Sequence, residues 1–201
     1  MPRIHGRPVP ALFPESGAVS VMLFGEAPGP RGADQSGIPF WGDGAGITVF
    51  RALVATGRAE VPGAAWEDWD GARFKAMALI PRLHGTALSN VFPACPTKDG
   101  EHFHAPSNRQ LLDPANLARL SAELARAAQG GTSPLRIIVF GKRAEWVLRR
   151  LPDAPTFDLQ ALPHPSAQGL LQAAPGRGKG MKLEDLKEAW QARLMSLLPV
   201  H

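Results

Sequence analysis

Residues Val19–Gly29 read V-S-V-M-L-F-G-E-A-P-G, and this stretch decides the fold. Val19–Phe24 is apolar along nearly its whole length and shows no polar–apolar alternation. A strand with such a run is buried on both faces, as in a parallel sheet covered by helices. Gly25–Gly29 then leaves the strand in a tight turn: glycine lets the backbone approach a ligand closely, and Pro28 fixes the bend. Three further segments read as strands: Ala87–Phe92, Leu135–Phe140, which is again an apolar run, and Phe157–Leu162.

Helical spacing fills the intervals. Ile47, Phe50, Leu53 and Val54 share a face of a helix over Ile47–Thr56. Trp66–Met77 is expected as a short helix anchored by Trp66, Trp69 and Phe74. Asp113 is expected to cap a helix with Pro114 in its first turn, running to Ala128 and stopped by Gly130-Gly131. Gly141 opens a helix to Leu151, with Ala144, Val147 and Leu148 inward and Arg143, Arg149 and Arg150 outward. Leu183–Leu198 closes the chain as an amphipathic helix, and Lys98–Leu111 reads as a polar loop. Strands alternating with helices predict an α/β fold, a three-layer sandwich around a central, mostly parallel four-stranded sheet. Residues 1–201 are expected to form one domain, with Met1–Ser16 a proline-rich arm across its surface.

Composition narrows the function classes. A hydrophobic content of 44% and a charged content of 20% over 201 residues suit a soluble globular protein with a sizeable core. The net charge of +4 favours a polyanionic partner. A single cysteine, Cys95, excludes an intramolecular disulfide and any four-cysteine zinc or iron–sulfur site. No segment is long and apolar enough to span a bilayer, so a cytoplasmic protein is expected, with no membrane partner.

Ligands of parallel sheets bind at the carboxyl ends of the strands. Those ends carry Gly25-Glu26, Asn90, Gly141 and His164. Glu26 suits holding or polarising a water, or merely bonding loop amides. In Gly37–Gly46 (G-I-P-F-W-G-D-G-A-G), Phe40 is the ring placed to stack on a planar base, and Trp41 reads as a core plug. The Asn90 amide can donate to a carbonyl and accept from an imide N–H, a pattern that fits uracil and mismatches cytosine; a turn-forming Asn is the plainer reading. His164, stiffened by Pro163 and Pro165, can donate to an oxygen where negative charge develops, with Ser166 anchoring the loop. Ala167–Leu171 offers Gln168, Leu170 and Leu171 as an insert into a duplex, and Gly176–Gly180 offers Arg177 and Lys179 to phosphates. His84, His102 and His104 read as solvated loop histidines, and no metal site is expected.

Taken together, these segments resemble the uracil-DNA glycosylase superfamily. Gly25–Gly29 with Gly37–Gly46 looks like the first motif of its family 4. Ser89-Asn90-Val91 is similar to the middle motif, Asn108-Arg109 to the polar pair after it, and His164-Pro165-Ser166 to the final motif. The resemblance runs from Val19 to Leu198. It implies a flipped-out base in the pocket beside Gly25, stacked on Phe40 and read by Asn90, with the amide of Glu26 or Ala27 also binding it. His164 would donate to O2 as the glycosidic bond breaks, and Glu26 would position water. Family 4 enzymes hold an iron–sulfur cluster on four cysteines; this chain has one, so the arm and the Lys98–Leu111 loop are expected to be held by packing. The best-studied relatives place an Asp where Ala27 stands and use a Tyr to exclude thymine; this chain has no Tyr, and Gly29 takes that place. The histidine-bearing basic insert of a covalently trapping branch is not apparent here.

The expected activity is a monofunctional uracil-DNA glycosylase of base-excision repair. It would act without cofactor or metal as a monomer, on single- or double-stranded DNA containing uracil. Ala27 leaves open a non-catalytic or product-retaining lesion binder. A small-molecule hydrolase using Glu26 and His164 is the third reading, against which the Arg177/Lys179 loop speaks.

Overall fold

The computed structural model describes residues 7–129, 134–152 and 157–198. The Gly130-Gly131 helix stop and Met1–Gly6 of the arm lie outside the described residues. In chain order the elements are β1 (Val21–Gly25), α1 (Ala33–Ser36), α2 (Gly46–Ala55), β2 (Ala59–Glu60), α3 (Gly71–Ala76), β3 (Arg82–Leu83) and β4 (Thr86–Asn90). There follow α4 (Asn108–Leu111), α5 (Pro114–Ala128), β5 (Arg136–Phe140), α6 (Lys142–Leu148), β6 (Asp158–Leu162), α7 (Ala167–Ala173) and α8 (Leu183–Leu197).

The main sheet has four parallel strands in the order β4-β1-β5-β6. Its register levels the carboxyl ends: Gly25 pairs with Asn90 and Phe140 with Leu162. The two-residue period of a strand divides the core. Val21 and Leu23 of β1 and Ile138 and Phe140 of β5 pack with Phe50, Leu53, Trp190 and Leu194, from α2 and α8. Met22, Phe24, Ile137 and Val139 pack with Leu120, Leu124, Val147 and Leu148, from α5 and α6. Helices on both faces of the sheet make the three-layer α/β sandwich expected from the alternation. Each large apolar side chain so buried contributes about 1.5–3 kcal/mol relative to exposure.

Three segments differ from the sequence reading. Trp66–Met77 is not one helix: a 3-10 turn covers Gly63–Trp66, and α3 begins only at Gly71, where Asp70 caps it by accepting from the Arg73 amide at 2.7 Å. Trp69 sits between, packed edge-on to Trp41 and Phe74, so the chain bends around an aromatic cluster instead of coiling through it. The Lys98–Leu111 loop ends in α4, whose Ser107 and Gln110 form a reciprocal capping box. The arm is more than a surface wrap. Leu12 and Leu88 exchange two backbone hydrogen bonds of 2.9 Å, and Val9 donates to Pro93 O, which blunts the β4 edge of the sheet. Trp41, read as a core plug, is fully buried and donates Nε1–H to Leu79 O at 2.9 Å.

Candidate active site

The level strand ends enclose a cavity of 490 Å³. The loop after β1 contributes Glu26, Ala27 and Gly29; the loop before α2 contributes Phe40, Asp43, Gly44 and Ala45. The segment after β6 contributes His164 and Ser166, α7 contributes Gln168, Gly169 and Gln172, and Phe103 reaches in from the loop after β4.

The floor depends on Gly25. A Cβ there would lie 2.5 Å from Asn90 Oδ1 and 2.8 Å from Phe40 Cε1, so only glycine admits both side chains. Phe40 holds a left-handed backbone, φ 64°, which costs a non-glycine residue about 1–3 kcal/mol. The turn maintains it, with the Asp43 amide donating to Phe40 O, and the ring packs edge-on to Phe140 at 5.6 Å. Asn90 is 3% exposed and stands behind Gly25 and Phe40 rather than on the open wall. Its Nδ2 is buried with no hydrogen-bond partner. An orphaned amide of this kind costs about 1–3 kcal/mol unless a ligand satisfies it. Its backbone is clamped from α5: Arg119 donates to Asn90 O at 3.0 Å and to Val91 O at 3.2 Å, and Asn116 donates to Val91 O at 2.9 Å. Ser89 donates to Glu123, which also binds Arg119 at 2.6 Å.

The loop geometry of His164 sets its tautomer. The Ser166 amide donates to Nδ1 at 3.2 Å, so Nδ1 is the bare nitrogen and Nε2 carries the proton. Burial lowers the imidazole pKa, keeping the ring neutral near pH 7. The site therefore holds a neutral N–H donor. Gly169 allows the close approach, since a Cβ there would lie 2.3 Å from His164 O. Trp190 ties the loop down by donating to Pro163 O at 2.8 Å, and Ser166 caps α7 by accepting from the Gly169 amide.

Two carboxylates flank this donor. Burial pushes the Glu26 pKa up, and the Arg143 guanidinium, 3.3 Å from Oε1, pulls it back. The pair is not aligned for a hydrogen bond, which leaves Glu26 Oε1 an open acceptor. Asp43 is the second. Burial pushes it up to about 6, amides of Ala33 and Gly29 draw it down, and nearby Asp34 adds a further upward push.

Sequence reasoning missed Asp43, Arg143, Phe103 and Gln172. Asp43 was visible only as one polar residue among the glycines of Gly42–Gly46. Arg143 was read as outward-facing, yet it turns back to Glu26, Pro106 O and Asn108 Oδ1. Other sequence-predicted residues fall elsewhere. Gln168 is exposed on the cavity rim. Leu170 is a correction: it is 4% exposed and packs in the core beneath α7, so it is not on a surface that meets DNA. Arg177 and Lys179 are exposed in and beside a 3-10 turn, Pro175–Gly178, and do not line the cavity. Among the described residues, no group of three or more His, Cys, Asp or Glu side chains is placed to hold a metal ion. Among them, too, no helix is long and apolar enough to cross a membrane.

The family model of the uracil DNA glycosylase superfamily matches residues 13–192. The chain belongs to that superfamily. The match spans every strand and the cavity, from Phe13 beyond β6 and into α8. Among solved structures, that of wild-type SMUG2 from Pedobacter heparinus is similar, with a TM-score of 0.53 and 14% sequence identity. The similarity covers 90% of this chain and 76% of that one, and at this identity it shows a shared fold. No curated protein matches the chain.

Proposed function

We propose that the protein is a monofunctional uracil-DNA glycosylase, which hydrolyses the N-glycosidic bond of a flipped-out deoxyuridine and leaves an abasic site. The observation that carries this reading is the buried, unpartnered Asn90 amide, packed behind Gly25 beside a cavity lined by Phe40 and by the neutral N–H donor of His164. Uracil satisfies such a set. Its ring lies along Phe40, its O4 accepts from Asn90 Nδ2, and its N3–H donates to Asn90 Oδ1. Cytosine presents a donor where O4 would be and leaves the buried amide opposed by a like group.

In the reaction the C1′–N1 bond breaks and its electron pair leaves with the base. Negative charge gathers on O2, where Nε2–H of His164 donates to it. One preorganised donor of this kind is worth about 3–4 kcal/mol, or about 100- to 1000-fold in rate. The sugar is left as an oxocarbenium-like cation. A water held by Glu26 adds at C1′ as the carboxylate takes its proton. Ala27 carries no polar side chain, which leaves Glu26 and Asp43 as the carboxylates lining the cavity.

The test is single-turnover release of uracil from a labelled oligonucleotide, single-stranded and as a U:G duplex, with EDTA present. Alkali-labile cleavage at the uracil is the expected result. Tight retention of DNA without release would replace this reading with a lesion binder. Neither binding nor release would point to a small-molecule hydrolase.

A further inference from the structure

Phe103 is 44% exposed, yet it lines the same cavity as Phe40 and His164. Its exposure does not come from a loose loop. The Asp99 carboxylate accepts from the amides of Glu101 and His102 at 2.9 and 2.8 Å and pairs with His102 Nδ1 at 2.6 Å. Thr97 Oγ1 accepts from the Gly100 amide at 2.9 Å, and Thr97 and Phe103 form an antiparallel bridge. The His104 amide donates to Pro96 O at 2.7 Å, and Arg143 holds Pro106 O just beyond. The loop is closed on itself by its own hydrogen bonds while the ring stays in solvent.

A single exposed ring is ordinary on a protein surface, but this one also lines the cavity and is held there by an ordered loop. This ring is a π-face at the mouth of a slot already built around Phe40. Around it the carboxylates of Asp99 and Glu101 outnumber the single lysine, Lys98, so the loop offers phosphate no net attraction. We infer that Phe103 is a stacking platform for a nucleobase next to the one that enters the cavity, and that the Thr97–His104 loop grips DNA by stacking rather than by charge. This inference rests on the DNA-glycosylase reading of the cavity.

The test is fluorescence anisotropy of the full chain on oligonucleotides carrying a tetrahydrofuran abasic analogue, single-stranded and duplex, across a range of salt. Phe103→Ala is expected to weaken binding at least about fivefold, the low end of a lost base–aromatic stack. The loss should be the same factor at every salt concentration, since no phosphate contact goes with it. Phe103→Trp should restore affinity, whereas Phe103→Leu, apolar but without a π-face, should bind like the alanine variant. Wild-type affinity in the alanine or leucine variant would overturn the inference, as would a loss that fades at high salt. Wild-type protein that binds the analogue but releases no uracil defeats the glycosylase activity alone, and the Phe103 variants still decide the inference. Wild-type protein that binds no DNA defeats both.

Discussion

At the scale of the residue, two carboxylates at one cavity titrate for different reasons. Glu26 is raised by burial and restrained by Arg143. As the proposed acceptor of a water proton it must be ionised, so uracil release is expected to fall as pH drops through a value above the ordinary glutamate pKa. Removing the guanidinium leaves burial unopposed. Arg143→Gln is therefore expected to move the acid limb of the rate profile to higher pH, and an unmoved limb would detach Arg143 from Glu26. Asp43 is raised by burial to about 6. Its folded pKa exceeds the ordinary 3.8, so the folded state binds the proton more tightly and the ionised form costs stability. That cost is full above pH 6 and gone below 3.8. Asp43→Asn is expected to raise Tm at pH 8, with the difference from wild type closing as pH falls through that window; equal Tm values at pH 8 would contradict it. Gly25, Glu26, Phe40 and His164 were legible because each lies in a short contiguous motif, at a strand end for Gly25, Glu26 and His164 and before a helix start for Phe40. Arg143 was not, because its partner Glu26 is remote in sequence and its own helix reads as ordinary amphipathic pattern. Leu170 misled for the opposite reason, since an apolar pair just after the His164 motif reads as a wedge until the core beneath α7 is seen.

At the scale of the element, α5 supports the site while lying outside it. Its Asp113 cap accepts from the Ala115 amide at 2.9 Å, and its first turns carry Asn116 and Arg119 to the backbone of Asn90 and Val91. Asp113→Ala is expected to cost about 1 kcal/mol, which for a chain of this length lowers Tm by about 2–4 °C. No change in Tm would mean that the exposed cap is idle. This helix was legible from its cap and its Pro114, and β1 and β5 from their apolar runs, because strong local preference and burial agree there. The span from Trp66 to Met77 was not. Spacing alone cannot distinguish a helix from a chain that bends to pack Trp69 against Trp41. The pairing of Leu12 with Leu88 was also hidden, since a two-residue bridge leaves no periodicity.

At the scale of the whole molecule, parallel strands of matched register bring residues from β1, β4 and β6 to one edge of the sheet, and two loops extend that edge outward. The Gly176–Gly180 loop presents Arg177 and Lys179 to solvent, away from the cavity lining. If it tracks phosphate, Arg177→Ala with Lys179→Ala weakens binding to all sequences alike and flattens the salt dependence by about one unit of slope per lost contact. An unaltered slope would make the loop a bystander and leave DNA contact to the cavity rim. The central claim is that a neutral His164, fixed by its own loop, drives departure of the base. The most direct measurement compares wild type and His164→Ala in single-turnover uracil release, with DNA affinity measured in parallel. The account predicts release slowed by about 100- to 1000-fold with binding kept; equal rates in the two proteins would contradict it.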